Sequence, residues 1–540
     1  MFKFLFNNNI ITLKNKQTIL SSIINYKNII ISSFIMFSIF MNFINYEMIK
    51  LLSNPLYLII LILILTLIVI CSIPHELKNI IRFIGLTSTS FIYLISLTLW
   101  IFFDRTTPKF QYMFNLGKLY FLNTDIIFAI DGISLFFIIL TTLIGPLLIL
   151  ISWYINTNVK MLLISIILSE LFTLLTFSAL DLFLFFIVFE GLLIPLFISI
   201  LYWGSGERRI KASVMLFLYT LLSSFVFMLA IFTIYLEVGS TNFFSIINFS
   251  KNGFSFEKQK FLWTLLFIAF AVKIPLYPLH TWLPEAHVEA PTFGSVILAS
   301  LLLKTGGYGL FRFVIPIFPE ANIYYTPIVY CLALVGVIYA AFSALRQLDI
   351  KRIVAYLSVS HMNFCVLGQF SENLEGILGS LLLMIAHGII AAGFFISIGI
   401  LYKRYHTRLI TYYGGLTRVM PVFGTLLFIL TLGNMNMPGT SNFVGELLIL
   451  VGIGHKSLIV TLFAAIGSAV GALCTIWLWS KSMFGEIKLT YFQKFSDLSR
   501  KEFFSLFPLI IINFFIGIFT NEFIDTLYCS TYFLYTFLII

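Results

Sequence analysis

The chain has 540 residues, of which 60% are apolar and only 10% are charged, and its mean hydropathy is +1.02. A soluble domain carries about 25% charged residues. This composition therefore excludes a soluble protein and predicts an all-α polytopic membrane protein. The formal net charge of +10 does not indicate nucleic-acid binding, because lysine and arginine lie mostly in connecting loops, where they set topology.

Apolar segments of roughly 20 residues are expected to be membrane helices, because about 20 helical residues cross the hydrocarbon core. Residues 528–540 are apolar but short for a span. The expected helices lie at about 29–48, 54–73, 80–103, 127–152, 159–179, 182–203, 211–237, 259–276, 292–315, 324–344, 352–369, 373–401, 419–437 continuing through 442–454, 457–480 and 503–520.

Loop charges predict the orientation of these helices. If the span at 54–73 is helix one, several loops after odd-numbered helices are basic, whereas the short loops after helices eight and ten carry glutamates; the longer loops after helices two and six break the alternation. The segment at 29–48 is then needed as an extra crossing, which puts the basic N-terminus on the same side as the basic loops. The basic residues include Arg208, Arg209, Lys211, Arg346, Lys351, Arg352, Lys403, Arg404, Arg408, Lys481 and Lys501.

Prolines interrupt two of the expected helices, one at Pro275 and Pro278 and the other at Pro438-Gly439. Broken helices at matching positions of two halves are typical of inverted-repeat transporters, whose sites lie at the breaks. Proline also occurs as a simple packing kink. We expect broken helices near Lys273-Pro278 and Pro438-Glu446, and domains at 1–50 (N-terminal extension), 51–158, 159–320 (first repeat), 321–484 (second repeat) and 485–540.

Ionisable residues lie inside the expected helices, where hydrocarbon tolerates charge poorly. A carboxylate, two lysines, two imidazoles and a second carboxylate are what a proton relay across a bilayer requires, since histidine titrates near neutral pH. If their charges lie about 6 Å apart in an effective dielectric of about 20, Glu190 and Lys273 would attract each other by roughly 2.8 kcal/mol. The alternatives are a lysine that snorkels to the headgroups and a histidine that only binds a neighbouring helix. The residues are Glu190, Lys273, Lys304, His361, His387 and Glu446.

Other polar residues have simpler interpretations. Helix-end placement and pairing account for Asp131, Glu170, Asp181 and Arg312. Glu285, His287 and Glu289 lie in WLPEAHVEAP, which we expect to be a loop between two spans, where metal binding is not favoured. The chain has no CxxC or His/Cys cluster, no GxGxxG after a strand, no P-loop and no nucleophile elbow. No catalytic residue and no metal site is therefore predicted.

Four motifs resemble those of the chain 4 subunits of the proton-pumping NADH:ubiquinone oxidoreductase, respiratory complex I. They are HTWLPEAHVEAPTFGSVILASLLLKTGGYGLFR, LDIKRIVAYLSVSHMNF, LMIAHGI and PGTSNFVGELLIL, and the resemblance covers about residues 115–520. It implies an antiporter-like fold with about fourteen core helices, two inverted five-helix repeats, and breaks in helices seven and twelve. The phenylalanine-rich composition and the lack of a cleavable presequence resemble a mitochondrially encoded member.

The resemblance also implies a role for seven residues. Glu190 matches the family's essential carboxylate, Lys273 the broken-helix lysine, Lys304 the central lysine and Glu446 the terminal acid. His280, in VKIPLYPLH, matches a further histidine of the relay, and His361 and His387 match the connecting histidines. The expected proton-relay residues are Glu190, Lys273, His280, Lys304, His361, His387 and Glu446.

We therefore expect a proton-translocating subunit of the membrane arm, in a multi-pass position in the mitochondrial inner membrane. Its partners would be the other membrane-arm subunits, including the neighbouring antiporter-like ones, and phospholipids, but no nucleic acid. No cofactor is expected in this chain, since NADH, FMN, iron–sulfur clusters and ubiquinone would lie in partner subunits. The alternatives are a subunit of a multi-subunit cation/proton antiporter and a purely structural membrane subunit.

Overall fold

The structure is a computed structural model that describes residues 53–119, 124–251, 253–487 and 496–539. The expected helix at 29–48 lies outside these residues. Helices dominate the described chain, which confirms the predicted all-α membrane class, and a single two-stranded antiparallel sheet is the exception among the described residues.

The helices and strands of the described residues fall into two groups in chain order. The first group is α1 (Pro55–Ser72), α2 (Lys78–Ile101), β1 (Gln111–Leu119), β2 (Thr124–Ile130), α3 (Gly132–Ser152), α4 (Val159–Ser178), α5 (Leu182–Gly191), α6 (Leu193–Trp203), α7 (Arg209–Val238), α8 (Phe243–Ser250), α9 (Phe256–Lys273) and α10 (Trp282–Glu289). The second group is α11 (Thr292–Ile317), α12 (Pro319–Leu345), α13 (Ile350–Gln369), α14 (Leu374–Tyr405), α15 (Pro421–Asn434), α16 (Ser441–Lys456), α17 (Leu458–Met483), α18 (Arg500–Ile518) and α19 (Thr520–Ile539).

Eleven helical spans of the described residues are long and apolar enough to cross a membrane. Three further segments of the bundle are more polar or are interrupted: α9 with α10, α13, and α15 with α16. These segments coincide with the remaining helices expected from the sequence. Polar or interrupted helices inside a membrane must be surrounded by protein, because lipid cannot bond their polar groups.

A β-hairpin stands where the sequence predicted the start of a helix at 127. Strand β2 pairs with β1, and Asn115 lies opposite Ile127. Helix α3 begins only at Gly132, because Asp131 caps it by accepting the Ser134 amide at 3.0 Å. The predicted start was wrong because a short apolar run is compatible with either a buried strand or a helix.

The C-terminal helix is longer than its apolar segment suggested. Residues 528–540 are too few for a span, but α19 begins at Thr520 and continues to Ile539. It packs against the start of α3, where the Gly132 amide donates to the Ser530 hydroxyl at 3.0 Å. The C-terminal segment therefore belongs to the helical bundle.

Helices α11 and α14 form the centre of the bundle, since the most apolar 18-residue window of each is entirely buried. Glycines bring α16 close to α14. A Cβ added to Gly445 would lie 2.8 Å from the Leu383 amide nitrogen, and one added to Gly452 would lie 2.6 Å from that of Gly376. Small residues at such crossings let helix backbones approach closely in membrane proteins. This crossing fixes where Glu446, the neighbour of Gly445, points.

Candidate functional site

Glu190 and Lys273 meet at the ends of two helices. Glu190 lies near the end of α5, and Lys273 is the last residue of α9. The Lys273 Nζ atom lies 3.2 Å from Glu190 Oε1, donates to the Phe189 carbonyl oxygen at 2.9 Å, and lies 3.1 Å from the centroid of the Phe189 ring. Lys273 is only 1% exposed. The buried ammonium is thus compensated by a carboxylate, a carbonyl and an aromatic face.

Side chains from other elements bind the carbonyls that the first break leaves free. Residues 274–281 separate α9 from α10. The Trp282 indole donates to the Val272 carbonyl at 2.9 Å, and the Asn363 amide donates to the Pro275 carbonyl at 3.2 Å. Unpaired carbonyls within a membrane are costly, so these bonds stabilise the interruption beside Lys273.

Lys304 is fully buried in α11 and contacts His387 of α14. Its Nζ atom lies 2.8 Å from His387 Nδ1 and donates to the Ala299 carbonyl at 2.6 Å. Residues Leu298–Leu302 form a π-helical turn just before Lys304. Such a turn leaves i→i+4 carbonyls available to other donors. Nothing in the sequence indicated this turn, which provides the second partner of the lysine.

His361 joins this pair to Glu446. The rings of His361 and His387 have centroids 5.4 Å apart, and His361 Nδ1 lies 3.4 Å from Glu446 Oε1. The spatial order is therefore Lys304, His387, His361, Glu446, which differs from the order of the two histidines in the chain. The order reverses because α14, which carries His387, lies against α11, while α13 places His361 toward α16.

Helix α11 also lies directly against the end of α9. A Cβ added to Gly306 would lie 3.3 Å from Lys273 Cβ and 2.8 Å from Ile274 Cγ1. Gly306 is two residues beyond Lys304. Because Gly306 has no side chain, the helix that carries Lys304 can contact Lys273. The Glu190–Lys273 pair and the row from Lys304 to Glu446 thus lie on adjoining elements.

His280 lies within the first break and is 4% exposed. Its ring stacks on Tyr277 with centroids 5.7 Å apart, and the rings of Tyr339 and Tyr356 lie 5.6 and 6.4 Å away. These contacts surround His280 with aromatic rings. The other expected relay residues contact one another, and His280 is not among those contacts.

A second group of buried polar residues was missed by the sequence analysis. Lys351 is 2% exposed and donates to the Ala290 carbonyl at 2.7 Å and the Ser295 hydroxyl at 3.1 Å. It was assigned to a basic loop, but α13 begins at Ile350. The available signal was Asp349, which precedes it and caps α13 by accepting the Lys351 amide at 2.9 Å. An N-cap residue marks the start of a helix, so the lysine belongs to the helix and not to the loop.

Glu285, His287 and Glu289 lie on helix α10, and the prediction of a loop there was wrong. Glu285 forms an ion pair with Arg352 at 2.7 Å, with both side chains about one-third exposed. His287 is fully buried, and its ring stacks on Phe395 with centroids 4.6 Å apart. The described residues contain no group of three or more His, Cys, Asp or Glu side chains that could hold a metal.

Pairing accounts for three of the four remaining charged residues. Arg312 donates to Asp131 at 2.7 Å, and Asp181 caps α5. Glu170 differs, because it lies in the middle of α4, is 2% exposed, and has no hydrogen-bond partner for either carboxyl oxygen. Its carboxyl group lies directly against Gly145, where it fills the space that a Cβ would need. Helix-end placement and pairing therefore do not explain Glu170.

The fold and the buried row define a polytopic membrane protein with ionisable side chains held along its centre. Residues 179–471 match the family described as NADH:quinone oxidoreductase/Mrp antiporter, TM. The chain is 46% identical to NADH-ubiquinone oxidoreductase chain 4 of Chondrus crispus, over 89% of this chain and 97% of that protein. It is 45% identical to the chain of the same name from Arabidopsis thaliana, over 86% and 93%. The chain therefore belongs to the NADH-ubiquinone oxidoreductase chain 4 family.

Solved structures agree on the fold. A chain of the respiratory complex I from Thermus thermophilus with bound NADH superposes with a TM-score of 0.81 at 27% identity, over 89% of this chain and 99% of that one. A chain of the membrane-bound sulfane sulfur reductase, an archaeal respiratory membrane complex, superposes with a TM-score of 0.79 at 22% identity, over 87% of this chain and 77% of that one. The second likeness bears on the fold alone.

Proposed function

We propose that the chain moves protons through the membrane arm of an NADH:ubiquinone oxidoreductase, using Glu190, Lys273, His280, Lys304, His361, His387 and Glu446. The single observation that carries this proposal is the unbroken series of short contacts from Lys304 through His387 and His361 to Glu446. A purely structural subunit has no use for four buried ionisable groups in one row, because each costs free energy in a membrane.

The Glu190–Lys273 pair acts as the switch in this proposal. While Glu190 lies within 3.2 Å, its charge holds the proton on Lys273. When Glu190 moves away, desolvation favours the neutral amine, and the proton leaves. The break after Lys273 gives this helix end freedom that a continuous helix lacks, and broken helices mark the sites of related transporter folds.

The second part of the path begins at Lys304. A proton that arrives through water can pass from Lys304 to His387 Nδ1 across the 2.8 Å contact. His387 then passes it to His361, whose ring centroid lies 5.4 Å from that of His387. Glu446 then accepts it from His361 and releases it. His280, enclosed by aromatic rings at the first break, serves the entry to this path.

We propose the partners of the chain on the basis of its family. The chain lies beside other membrane-arm subunits, including the neighbouring antiporter-like ones, in a multi-subunit complex of the mitochondrial inner membrane. Partner subunits hold NADH, FMN, the iron–sulfur clusters and ubiquinone, and the assembly catalyses NADH:ubiquinone reduction with proton translocation. Residues 159–320 and 321–484 form two inverted repeats, and α9–α10 and α15–α16 are their broken helices.

A subunit of a multi-subunit cation/proton antiporter is the second function to be tested, because the matching family includes Mrp antiporters. The two differ in the assembly with which the chain purifies. Co-purification with flavin- and iron–sulfur-containing subunits supports the oxidoreductase. Purification with an assembly that exchanges cations and lacks redox subunits would support the antiporter.

The test of the relay uses Glu190→Gln and Lys273→Met in a genetically tractable relative. We expect the complex to assemble and to transfer electrons from NADH to a water-soluble acceptor at the normal rate. Coupled ubiquinone reduction and proton uptake in vesicles should fall by at least about tenfold, since one buried charge then lacks its partner. Near-normal proton pumping by the assembled Glu190→Gln enzyme would contradict the proposal.

A further inference from the structure

A small polar cavity lies beside His387, between helices α13, α14, α15 and α17. Its volume is about 10 Å³, and its polar walls are Ser358 of α13, His387 of α14, Asn434 of α15 and Thr475 of α17. The remaining walls are apolar. Of the four polar residues, only His387 belongs to the expected proton relay. The other three have no role in the path described above.

Asn434 lies in this cavity without a hydrogen-bond partner for its side chain. The residue is 6% exposed, and no hydrogen bond of the described residues includes its side-chain amide. A buried amide whose donors and acceptor are all unpaired destabilises a folded protein, and such groups are rare. An occupant that both donates and accepts hydrogen bonds is therefore expected against Asn434.

Ser358 and Thr475 add acceptors to the cavity. The Ser358 hydroxyl donates to the Ala355 carbonyl at 2.7 Å, and the Thr475 hydroxyl donates to the Ala472 carbonyl at 2.8 Å. Each hydroxyl has one proton, which its own helix takes up, and its oxygen keeps a lone pair that can accept a hydrogen bond. The cavity thus offers two acceptors, an amide that donates and accepts, and an imidazole.

The imidazole of His387 has one nitrogen left for an occupant of this cavity. Its Nδ1 atom lies 2.8 Å from Lys304 Nζ, so an occupant that bonds to the ring uses Nε2. An imidazole that receives a proton at one nitrogen carries a proton on both, and can release the second. The occupant therefore lies where His387 gives up a proton after it has received one from Lys304.

We propose that the cavity binds one water molecule, which hydrogen-bonds Asn434 and His387 Nε2 and accepts the proton that leaves this nitrogen. The size agrees, because one water needs roughly 10–15 Å³ and two to four polar partners. The walls include no carboxylate, lysine or arginine, so an ion would lack a counter-charge. The inference rests on the proposed function, since it concerns how His387 passes on its proton.

The water passes the proton toward His361. Ser358 precedes His361 by three residues on α13, so the two side chains lie on the same face of that helix. One proton moves in the step. The bond from Nε2 to hydrogen breaks as a bond from the water oxygen forms, and the water returns to neutral when His361 takes the proton.

Asn434 connects this water to the second break. It is the last residue of α15, directly before the break, just as Lys273 is the last residue of α9, directly before the first. A Cβ added to Gly433 would lie 3.0 Å from Ile390 Cδ1, so this end of α15 contacts α14 within one turn of His387. A shift of the break therefore moves Asn434 relative to His387. Asn434 is thus a positioning residue, which holds the water and does not itself carry the proton.

The first experiment compares Thr475→Val with Thr475→Ser in the assembled complex. Valine keeps the volume but removes the hydroxyl, whereas serine keeps the hydroxyl and loses a methyl group. We expect Thr475→Val to lower proton pumping in vesicles at least about fivefold and Thr475→Ser to stay within about twofold. A packing role alone predicts the reverse order, because the lost methyl group leaves a void. Thr475→Ser pumping as slowly as Thr475→Val, or more slowly, would overturn the proposal.

The matched control is Thr431→Val. Thr431 is also fully buried and donates to a carbonyl of its own helix, that of Phe428, at 2.6 Å, but it does not line the cavity. We expect Thr431→Val to pump within about twofold of the normal rate. In Thr475→Val, the ratio of the pumping rates in H₂O and D₂O should rise, because proton transfer from His387 becomes limiting. An unchanged ratio would contradict the proposal.

The second experiment replaces Asn434 by leucine, which has a similar volume and no polar group, and includes Lys304→Met for comparison. Asn434→Leu should lower pumping at least about fivefold, while electron transfer from NADH to a water-soluble acceptor stays normal. Normal pumping by Asn434→Leu and Thr475→Val together with a loss in Lys304→Met would overturn this inference and leave the proton path intact. Normal pumping by Lys304→Met would instead overturn the proposed function.

A structure of the unaltered complex, at a resolution that shows ordered waters, decides if the variants fail to assemble. We expect one water within hydrogen-bond distance of both the Asn434 amide and His387 Nε2. A cavity that contains an ion, or one in which Asn434 bonds directly to a protein group, would overturn the proposal.

Discussion

The Lys304 ammonium group lies 2.8 Å from Nδ1 of His387, in a part of the bundle where neither side chain is more than 1% exposed. No carboxylate of the described residues lies within 4.0 Å of Lys304. The polar partners of the lysine are therefore an imidazole nitrogen and the Ala299 carbonyl, and not a carboxylate. A group held in this way can pass on its proton without first breaking an ion pair.

Replacing Lys304 by arginine tests whether proton release, not charge alone, is required. A guanidinium group stays protonated in proteins, so it keeps the charge but cannot transfer the proton. We expect Lys304→Arg to reduce coupled ubiquinone reduction by at least about tenfold, as strongly as Lys304→Met. The measurement is proton uptake by vesicles that contain the assembled complex. An arginine variant with more than half the normal rate would show that the charge is sufficient.

The acid at the end of the row should matter more than a carboxylate outside it. Glu446 is 6% exposed and contacts His361, whereas Glu285 forms a partly exposed ion pair with Arg352. A surface ion pair contributes about 0–1 kcal/mol, so Glu285→Gln should change pumping little. Glu446→Gln should impair it severely. The two variants are compared in vesicles at equal complex content, and equal losses would remove Glu446 from the path.

A methyl group at Gly306 should disturb the path without removing any charge. A Cβ there would lie 2.8 Å from Ile274 Cγ1 and 3.3 Å from Lys273 Cβ, so α11 and the end of α9 must separate. Overpacking of this kind costs about 1–3 kcal/mol. We expect Gly306→Ala to lower proton pumping in the assembled complex. Gly471→Ala is the matched control, because its nearest neighbour would be Leu357 Cδ2 at 3.8 Å, an ordinary contact.

Glu170 should tolerate loss of its ionisable group. It is buried, and no ion pair within 4.0 Å in the described chain includes it. An unpaired carboxylate in such a place is costly, so the side chain is held as a neutral acid, which glutamine resembles in shape and polarity. Glu170→Gln should keep assembly and activity within about twofold. Glu170→Lys introduces a larger, charged group beside Gly145, and we expect it to prevent assembly; native gel electrophoresis measures both outcomes.

Individual residues show how far the sequence could predict the site. A charged side chain in hydrocarbon is costly, so an ionisable residue inside an apolar segment indicates a functional site. Glu190, Lys273 and Glu446 were singled out for that reason. Their contacts were not predictable to the same degree. Lys351 looked like a loop charge because linear sequence does not show that its side chain turns inward to the Ala290 carbonyl. Glu170 looked like a helix-end residue, although α4 continues for eight residues beyond it.

The sequence alone determined that this protein crosses a membrane many times, because apolar runs of about 20 residues leave a helix as the way to pair their backbone groups. It also singled out Glu190, Lys273, Lys304, His361, His387 and Glu446 as ionisable residues inside apolar segments. Only the tertiary structure decided that IIFAI forms a strand and that His387 lies between Lys304 and His361. The strand depends on its pairing with β1, and the position of His387 depends on how α11, α13, α14 and α16 pack together. A local hydrophobic pattern carries no information about such contacts.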